Sequence, residues 1–177
     1  YRLANGLTLL IREIHTAPIV SSWVWYGIGS RNEVPGKTGL SHWVEHMQFK
    51  GTVQRSASWM DHTIARLGGH WNAFTSPDWT TYFETLPSSA LETALALEAD
   101  RMRHLTLSPQ EFDQEIKVVM EERRMRTDDQ PQAALSEQMH AVAFQEHPYR
   151  RPVIGWMNDL KSMTVQDARD WYDRRYL

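Results

Sequence analysis

Two histidines and a glutamate between them are the residues of this chain whose types and spacing most directly indicate chemistry. They lie in the sequence His42-Trp43-Val44-Glu45-His46. On a helix, residues four apart project from one face, so both imidazoles can bind one metal ion while Glu45 lies beside them. A catalytic zinc ion keeps three protein ligands and one open position, so a third ligand is still required. The motif favours a metal site, and its alternative is a surface helix with two solvated histidines.

Two glutamates on a later segment are candidates for the missing ligand. Glu115 and Glu122 lie seven residues apart, after the capping sequence Ser108-Pro109-Gln110-Glu111, which predicts the start of a helix. At that spacing both carboxylates share one helix face and can reach one site. The competing interpretation is a charged outer face formed with neighbouring charged residues, namely Lys117, Glu121 and Arg123.

The elements that must position these residues fall into a strand-rich first half and a helical second half. Runs of β-branched and aromatic residues predict strands at 7–13, 19–26, 70–75 and 80–86, the first two as a hairpin-like pair. Caps, apolar stripes and glycine stops predict helices at 40–49, 56–67, 89–104, 109–126, 133–144 and 164–176. We therefore expect an α+β fold, with helices packed on one face of a largely antiparallel sheet.

Composition predicts a folded domain and narrows the class of partner. With 177 residues, 41% of them hydrophobic, the chain is long enough for one domain spanning residues 1–177. A net charge of -3 argues against nucleic acid as a partner, and the absence of cysteine leaves His, Asp or Glu to hold any metal. No apolar stretch approaches the roughly 18 residues that cross a bilayer. The chain opens at Tyr1 without a basic, apolar leader, which indicates a trimmed chain and leaves its compartment open.

The histidine motif belongs to a longer series of residues. The series includes Gly29-Ser30-Arg31-Asn32-Glu33, a stretch around the motif from Gly39 to Thr52, and Gly68-Gly69-His70-Trp71-Asn72-Ala73-Phe74-Thr75. In these residues the chain resembles the inverted-motif zinc peptidases, a family that includes pitrilysin, insulysin and the mitochondrial processing peptidase. The resemblance covers nearly the whole chain and is to the N-terminal, metal-binding domain of the family.

This resemblance implies roles for the residues around the motif. His42, His46 and Glu122 would bind one zinc ion, and Glu45 would be the base that activates water. Glu115 would orient a histidine or tune the site from behind the ligands.

A substrate track and an activity are also implied by the resemblance. Asn72, Ala73 and Phe74 match the edge strand along which the family holds an extended peptide through main-chain hydrogen bonds. The expected activity is that of a zinc-dependent endopeptidase acting on unfolded peptides or presequence-like segments.

A second half is expected from the same resemblance. In the family, such a domain continues past the point where this chain ends, at Leu177, and a homologous second half closes over the site. That half, in the same polypeptide or in a partner subunit, brings an arginine and a tyrosine, so we expect the chain alone to bind zinc but cleave poorly. The open edge strand could also pair with a second copy, giving a homodimer.

Two other functions stay open: a non-catalytic structural or partner subunit, and a zinc hydrolase acting on a small amide.

Overall fold

Three strands and seven α-helices make up the computed structural model, which describes every residue from Tyr1 to Leu177. The strands are β1 (Ile19–Tyr26), β2 (His70–Thr75) and β3 (Thr80–Pro87). The helices are α1 (Leu40–Met47), α2 (Ala57–Arg66), α3 (Leu91–His104), α4 (Pro109–Arg123), α5 (Pro131–Ala143), α6 (Met157–Ser162) and α7 (Val165–Arg175). Strands in the first half and helices in the second confirm the predicted α+β class. None of the helices combines the length and apolar character needed to cross a membrane.

The sheet is antiparallel, with β3 in the centre and β1 and β2 on either side. The register places Phe83 of β3 between Trp23 of β1 and Asn72 of β2. The turn from β2 to β3 is stabilised by Ser76. Its hydroxyl accepts hydrogen bonds from the backbone N–H groups of Asp78 and Trp79, at 3.2 and 3.1 Å. Because β2 pairs only with β3, it is an edge strand, as the family resemblance implied.

The two faces of the sheet have different surroundings. Two hydrophobic clusters lie against the inner face, one around α1, α4 and α7 and the other between α2, α3 and the sheet. Tyr82 and Leu86 of β3 belong to one cluster each. The outer face carries stacked rings instead, with Trp23 and Phe83 only 4.3 Å apart between ring centroids. The helices therefore pack on one face of the sheet, as expected.

Several predicted elements differ from the structure. The segment 7–13 is not a strand, because its backbone finds no partner strand and its three leucines and one isoleucine are exposed. Helix α4 ends at Arg123 instead of residue 126, and the turn Arg124–Asp128 that follows is π-helical. The short helix α6 was not predicted, because no side chain caps its start and it has only six residues. Helix α5 begins two residues earlier than predicted, with Pro131 in its first turn.

Helix α1 is held in place from its first turn. Gly39 precedes it with a φ of 90°, and a Cβ atom there would lie 2.7 Å from the carbonyl oxygen of Ile154, so only glycine fits. The buried Glu33 carboxylate accepts hydrogen bonds from the backbone N–H groups of Gly39 and Ser41, at 2.7 and 2.8 Å. These bonds satisfy donors that the first turn of a helix leaves free. On the same helix Trp43 is fully buried and packs against Phe112 of α4, so α1 lies directly against α4.

Candidate metal centre

Helices α1 and α4 bring two histidines and one glutamate to a single point. On α1, His42 and His46 lie one turn apart with their ring centroids 4.6 Å from each other. Glu122, in the last turn of α4, places Oε2 3.3 Å from Nε2 of His46 and 3.7 Å from Nε2 of His42. One ligand atom from each of the three residues lies within 4.8 Å of the others. The packing of Trp43 on Phe112 of α4, at 4.7 Å between ring centroids, fixes the two helices at this separation.

The spacing of these three atoms fits a zinc ion. Tetrahedral zinc with bonds of about 2.0–2.1 Å needs ligand atoms roughly 3.3 Å apart, close to the two distances between Glu122 and the histidines. Oε2 of Glu122 is also buried without a hydrogen-bond partner. A buried carboxylate oxygen without a donor is costly, and a cation at this point would satisfy it. The group can hold a metal ion.

A carboxylate behind His46 decides which ring nitrogen faces this point. Oε1 of Glu115 lies 2.8 Å from Nδ1 of His46, and Oε2 of Glu115 lies 2.6 Å from Nζ of Lys50. Because a carboxylate only accepts, Nδ1 carries the proton and Nε2 is left with a lone pair directed at Glu122. Burial alone would raise the pKa of Glu115, but hydrogen bonds from His46 and Lys50 lower it below the usual value. Glu115 therefore stays charged and orients the ring.

The two histidines have opposite electrostatic environments. Burial, together with the nearby His46 and Arg126, lowers the pKa of His42 to about 3, so its ring stays neutral and able to bind a metal. Burial would lower the pKa of His46 too, but the hydrogen bond to Glu115 and the negative charges of Glu115, Glu122 and Glu45 raise it. The carboxylates that favour a proton on His46 equally favour a metal cation beside it.

Glu45 lies next to the three converging residues but is held by another partner. The hydroxyl of Thr75, at the end of β2, donates a 2.5 Å hydrogen bond to Oε2 of Glu45. Burial raises the pKa of Glu45, and the hydrogen bond from Thr75 partly opposes that rise. A carboxylate with a raised pKa beside a metal point has the properties of a general base.

An open cleft of about 1160 Å³ surrounds this group of residues. One wall is β2, including Asn72, Ala73 and Phe74, and the opposite wall is formed by the end of α4, by α5 and by residues 149–154. Arg123 secures that wall, since its guanidinium donates two 2.8 Å hydrogen bonds to Glu137 of α5. The free edge of β2 thus runs along a cleft that contains the candidate metal ligands.

Three residues beside the site were missed from the sequence. Thr75 holds Glu45, Lys50 holds Glu115, and Arg126 lies 2.6 Å from Oε1 of Glu122. Arg126 follows Glu122 by four residues, so its i to i+4 spacing was a usable signal. Lys50 follows His46 by the same four residues, and both side chains contact Glu115. Thr75 gave no local signal, because its partner is thirty positions away.

Comparison with known proteins agrees with the motif and the fold. The sequence pattern of the insulinase family (peptidase family M16) matches residues 8–156. The chain belongs to the insulinase family of peptidases. It is 37% identical over 175 residues to the zinc protease PqqE of Helicobacter pylori, which covers 98% of this chain and 39% of that protein. It is 30% identical over 175 residues to the mitochondrial-processing peptidase subunit beta of Blastocladiella emersonii, covering 99% of this chain and 37% of that subunit.

Solved structures of family members have the same fold. The crystal structure of a protease from Helicobacter pylori superposes with a TM-score of 0.88 at 39% identity, over 90% of this chain and 39% of that one. The first half of the periplasmic protease PqqL from Escherichia coli superposes with a TM-score of 0.80 at 27% identity, over 92% of this chain and 36% of that one. The chain thus spans about two fifths of the length of these relatives.

Proposed function

We propose that this chain is the metal-binding half of a zinc-dependent endopeptidase, with His42, His46 and Glu122 as ligands of one zinc ion and Glu45 as the general base. The observation that carries the proposal is the convergence of three ligand atoms within 4.8 Å, beside a buried glutamate, in a cleft bordered by a free strand edge. Membership of a family whose relatives are named zinc proteases agrees with this chemistry.

The residues of the site divide the work of peptide hydrolysis. Zinc bound there would supply a Lewis acid that polarises the scissile carbonyl and lowers the pKa of a water molecule to about 7. Glu45 takes a proton from the attacking water and delivers it to the leaving amine, while the Thr75 hydroxyl keeps the carboxylate aimed. Glu115 holds the His46 ring in its ligand tautomer.

An extended peptide is the substrate class that suits the cleft. The free edge of β2 offers main-chain donors and acceptors to a segment lying antiparallel or parallel to it. Asn72, Ala73 and Phe74 would lie along such a segment, and Thr75 at the end of the strand contacts Glu45 directly. A peptide paired with β2 therefore passes beside the general base. Unfolded peptides and presequence-like segments can adopt this conformation, whereas folded proteins cannot.

A second half completes the proposed enzyme. The cleft is open to solvent on one side, and the chain spans only about two fifths of its relatives. A homologous half, in the same polypeptide or a partner subunit, would close the cleft and supply the arginine and tyrosine that stabilise the oxyanion. Losing one oxyanion donor typically costs about 10²- to 10³-fold in turnover, so the chain by itself would be weakly active.

The decisive experiment pairs zinc content with peptide cleavage in matched glutamine variants. Glu45→Gln removes the base but no ligand, so we expect it to keep zinc and lose at least about 10²-fold in turnover. Glu122→Gln weakens a ligand, and we expect zinc itself to be lost. Glu121→Gln is the control, because Glu121 lies one residue away but pairs with Arg124 at the surface.

Two outcomes would separate the alternatives. Cleavage unaffected by Glu45→Gln would refute the proposed base. Zinc bound at one equivalent, with no cleavage by the protein even when its second half is present, would favour the non-catalytic subunit.

A further inference from the structure

Arg126 contacts the candidate ligand Glu122 through the carboxylate oxygen that does not face the histidines. Its guanidinium lies 2.6 Å from Oε1 of Glu122, while Oε2 of the same carboxylate faces His42 and His46. The two oxygens of Glu122 therefore have separate partners. One is engaged by an arginine, and the other is buried without any hydrogen bond.

The arginine belongs to an irregular turn. It lies in the π-helical stretch Arg124–Asp128, which follows directly on α4 and lines the cleft. Single π-helical turns within or after α-helices occur often at functional sites. Glu122 lies near the C-terminal end of α4, where the helix dipole disfavours a negative charge. The positive charge of Arg126 offsets this unfavourable interaction between the helix dipole and the Glu122 carboxylate.

The neighbouring arginines have other partners. Arg123 is buried and binds Glu137 of α5, and Arg124 binds Glu121 at the surface. Only Arg126 engages a carboxylate whose other oxygen faces two histidines. Its side chain is 76% exposed, so this ion pair contributes little to the stability of the fold. The fold does not depend on this contact.

The geometry points to Arg126 as a positioning residue that holds Oε1 of Glu122 and leaves Oε2 as the only oxygen offered to the metal. This inference rests on the proposed function, since it takes His42, His46 and Glu122 to be the zinc ligands. Without Arg126 the carboxylate can rotate, offer both oxygens to the metal or turn away from the histidines. With Arg126 in place, Glu122 binds through one oxygen, and one coordination position stays open for water and substrate.

Two physical effects of Arg126 on metal affinity have opposite signs. Its positive charge repels a metal dication, which weakens binding, whereas its ion pair with Glu122 orients the ligand, which strengthens binding. Because Arg126 is largely exposed, salt screens the repulsion, with a Debye length of about 4 Å at about 0.5 M salt. The ion pair between Arg126 and Glu122, at 2.6 Å, is shorter than this Debye length and is screened less. The orienting effect is therefore isolated at high salt.

The test compares Arg126→Gln with Arg124→Gln, which removes the same charge from the same turn without touching a ligand. Zinc affinity is measured by competition with a chromophoric chelator at about 0.5 M salt, and coordination is followed by the visible absorption of the cobalt-substituted protein. We expect Arg126→Gln to lose about 10- to 100-fold in zinc affinity, the usual cost of removing a residue that supports a metal ligand. Its cobalt bands should weaken as four-coordinate geometry is lost. Arg124→Gln should match the wild type in both.

Further variants keep this inference separate from the proposed function. Arg126→Lys retains the charge and one donor, so its loss of affinity should be smaller than that of Arg126→Gln. If Arg126→Gln binds zinc as tightly as the wild type at high salt, with an unchanged cobalt spectrum, the positioning role is wrong. If His42→Ala also leaves zinc binding intact, the proposed ligand set itself is wrong. Circular dichroism of the metal-free variants is the control that each of them folds.

Discussion

Thr75→Val tests whether the end of the edge strand controls the general base. Valine has the shape of threonine and suits a strand equally well, so the substitution removes only the hydroxyl that donates to Oε2 of Glu45. At 2.5 Å this is a short hydrogen bond to a charged group, a class worth about 1.5–3 kcal/mol. Since each 1.36 kcal/mol is a factor of ten in rate, complete loss of that energy in orientation corresponds to about 10- to 100-fold.

Two consequences of removing this hydroxyl oppose each other. A freed Glu45 becomes a stronger base, because the hydrogen bond from Thr75 holds its pKa down against the rise caused by burial. It also loses its aim, and misplacement of about 1 Å can cost roughly 10²-fold. The rate of proton transfer rises by only part of the increase in basicity, so the loss of orientation of Glu45 has the larger effect. We expect kcat to fall about tenfold while the zinc content stays unchanged.

The direction in which the pH profile shifts is a second, independent test of the contact between Thr75 and Glu45. Glu45 acts as a base only when ionised, so activity falls as pH drops through its pKa. Because Thr75→Val removes an interaction that lowers this pKa, the acidic limb of kcat/KM should move to higher pH. The assay is cleavage of a fluorogenic, unstructured peptide across pH by the zinc-loaded enzyme. Thr85→Val on β3 is the control, since its hydroxyl contacts only Ser21 on the outer face. An acidic limb that stays in place, with kcat equal to that of the wild type, would refute the reasoning.

Three other outcomes are expected. Glu115→Gln should lower zinc affinity about 10- to 100-fold, because a neutral amide holds the His46 ring less firmly; equal affinity by chelator competition would contradict its role. Asp100→Asn should destabilise the protein by about 1–3 kcal/mol at pH 7 in denaturant titrations, since this buried carboxylate accepts hydrogen bonds from three side chains. Those bonds lower the pKa of Asp100, so the difference should disappear as pH falls below 3.8, and a constant difference would argue against them. Trp43→Ala should cost about 3–5 kcal/mol, because the ring is fully buried against Phe112, and an unchanged Tm would show that α1 is positioned otherwise.

The parts of the fold that follow local rules were predictable from the sequence. The spacing of His42 and His46, a glycine before the helix and a serine cap at residue 108 each specify a local conformation, and the structure agrees with them. The segment 7–13 has the residue types of a strand, but a strand also needs a partner, and pairing is a tertiary property. The π-helical turn after Arg123 was not predictable, because its residues suit an ordinary helix equally well.

Some residues of the candidate site could also be predicted from the sequence, and others depend on tertiary structure. The motif spacing identified one face of a helix, and the resemblance supplied Glu122 and Glu115 as its partners. The structure brings both carboxylates to the histidines. Thr75 depends on how β2 lies against α1, which no local pattern specifies. Arg126 was visible as a neighbour of Glu122 on one helix face, but only the structure shows which oxygen it engages.

The position of zinc in a crystal of the protein tests the central claim most directly. Anomalous diffraction data collected on both sides of the zinc absorption edge would locate the ion without reference to activity. The account predicts one peak, about 2.0–2.2 Å from Nε2 of His42, Nε2 of His46 and Oε2 of Glu122, with Oε1 of Glu122 still held by Arg126. A peak that lies elsewhere, or crystals grown with zinc that show no peak between α1 and α4, would contradict it.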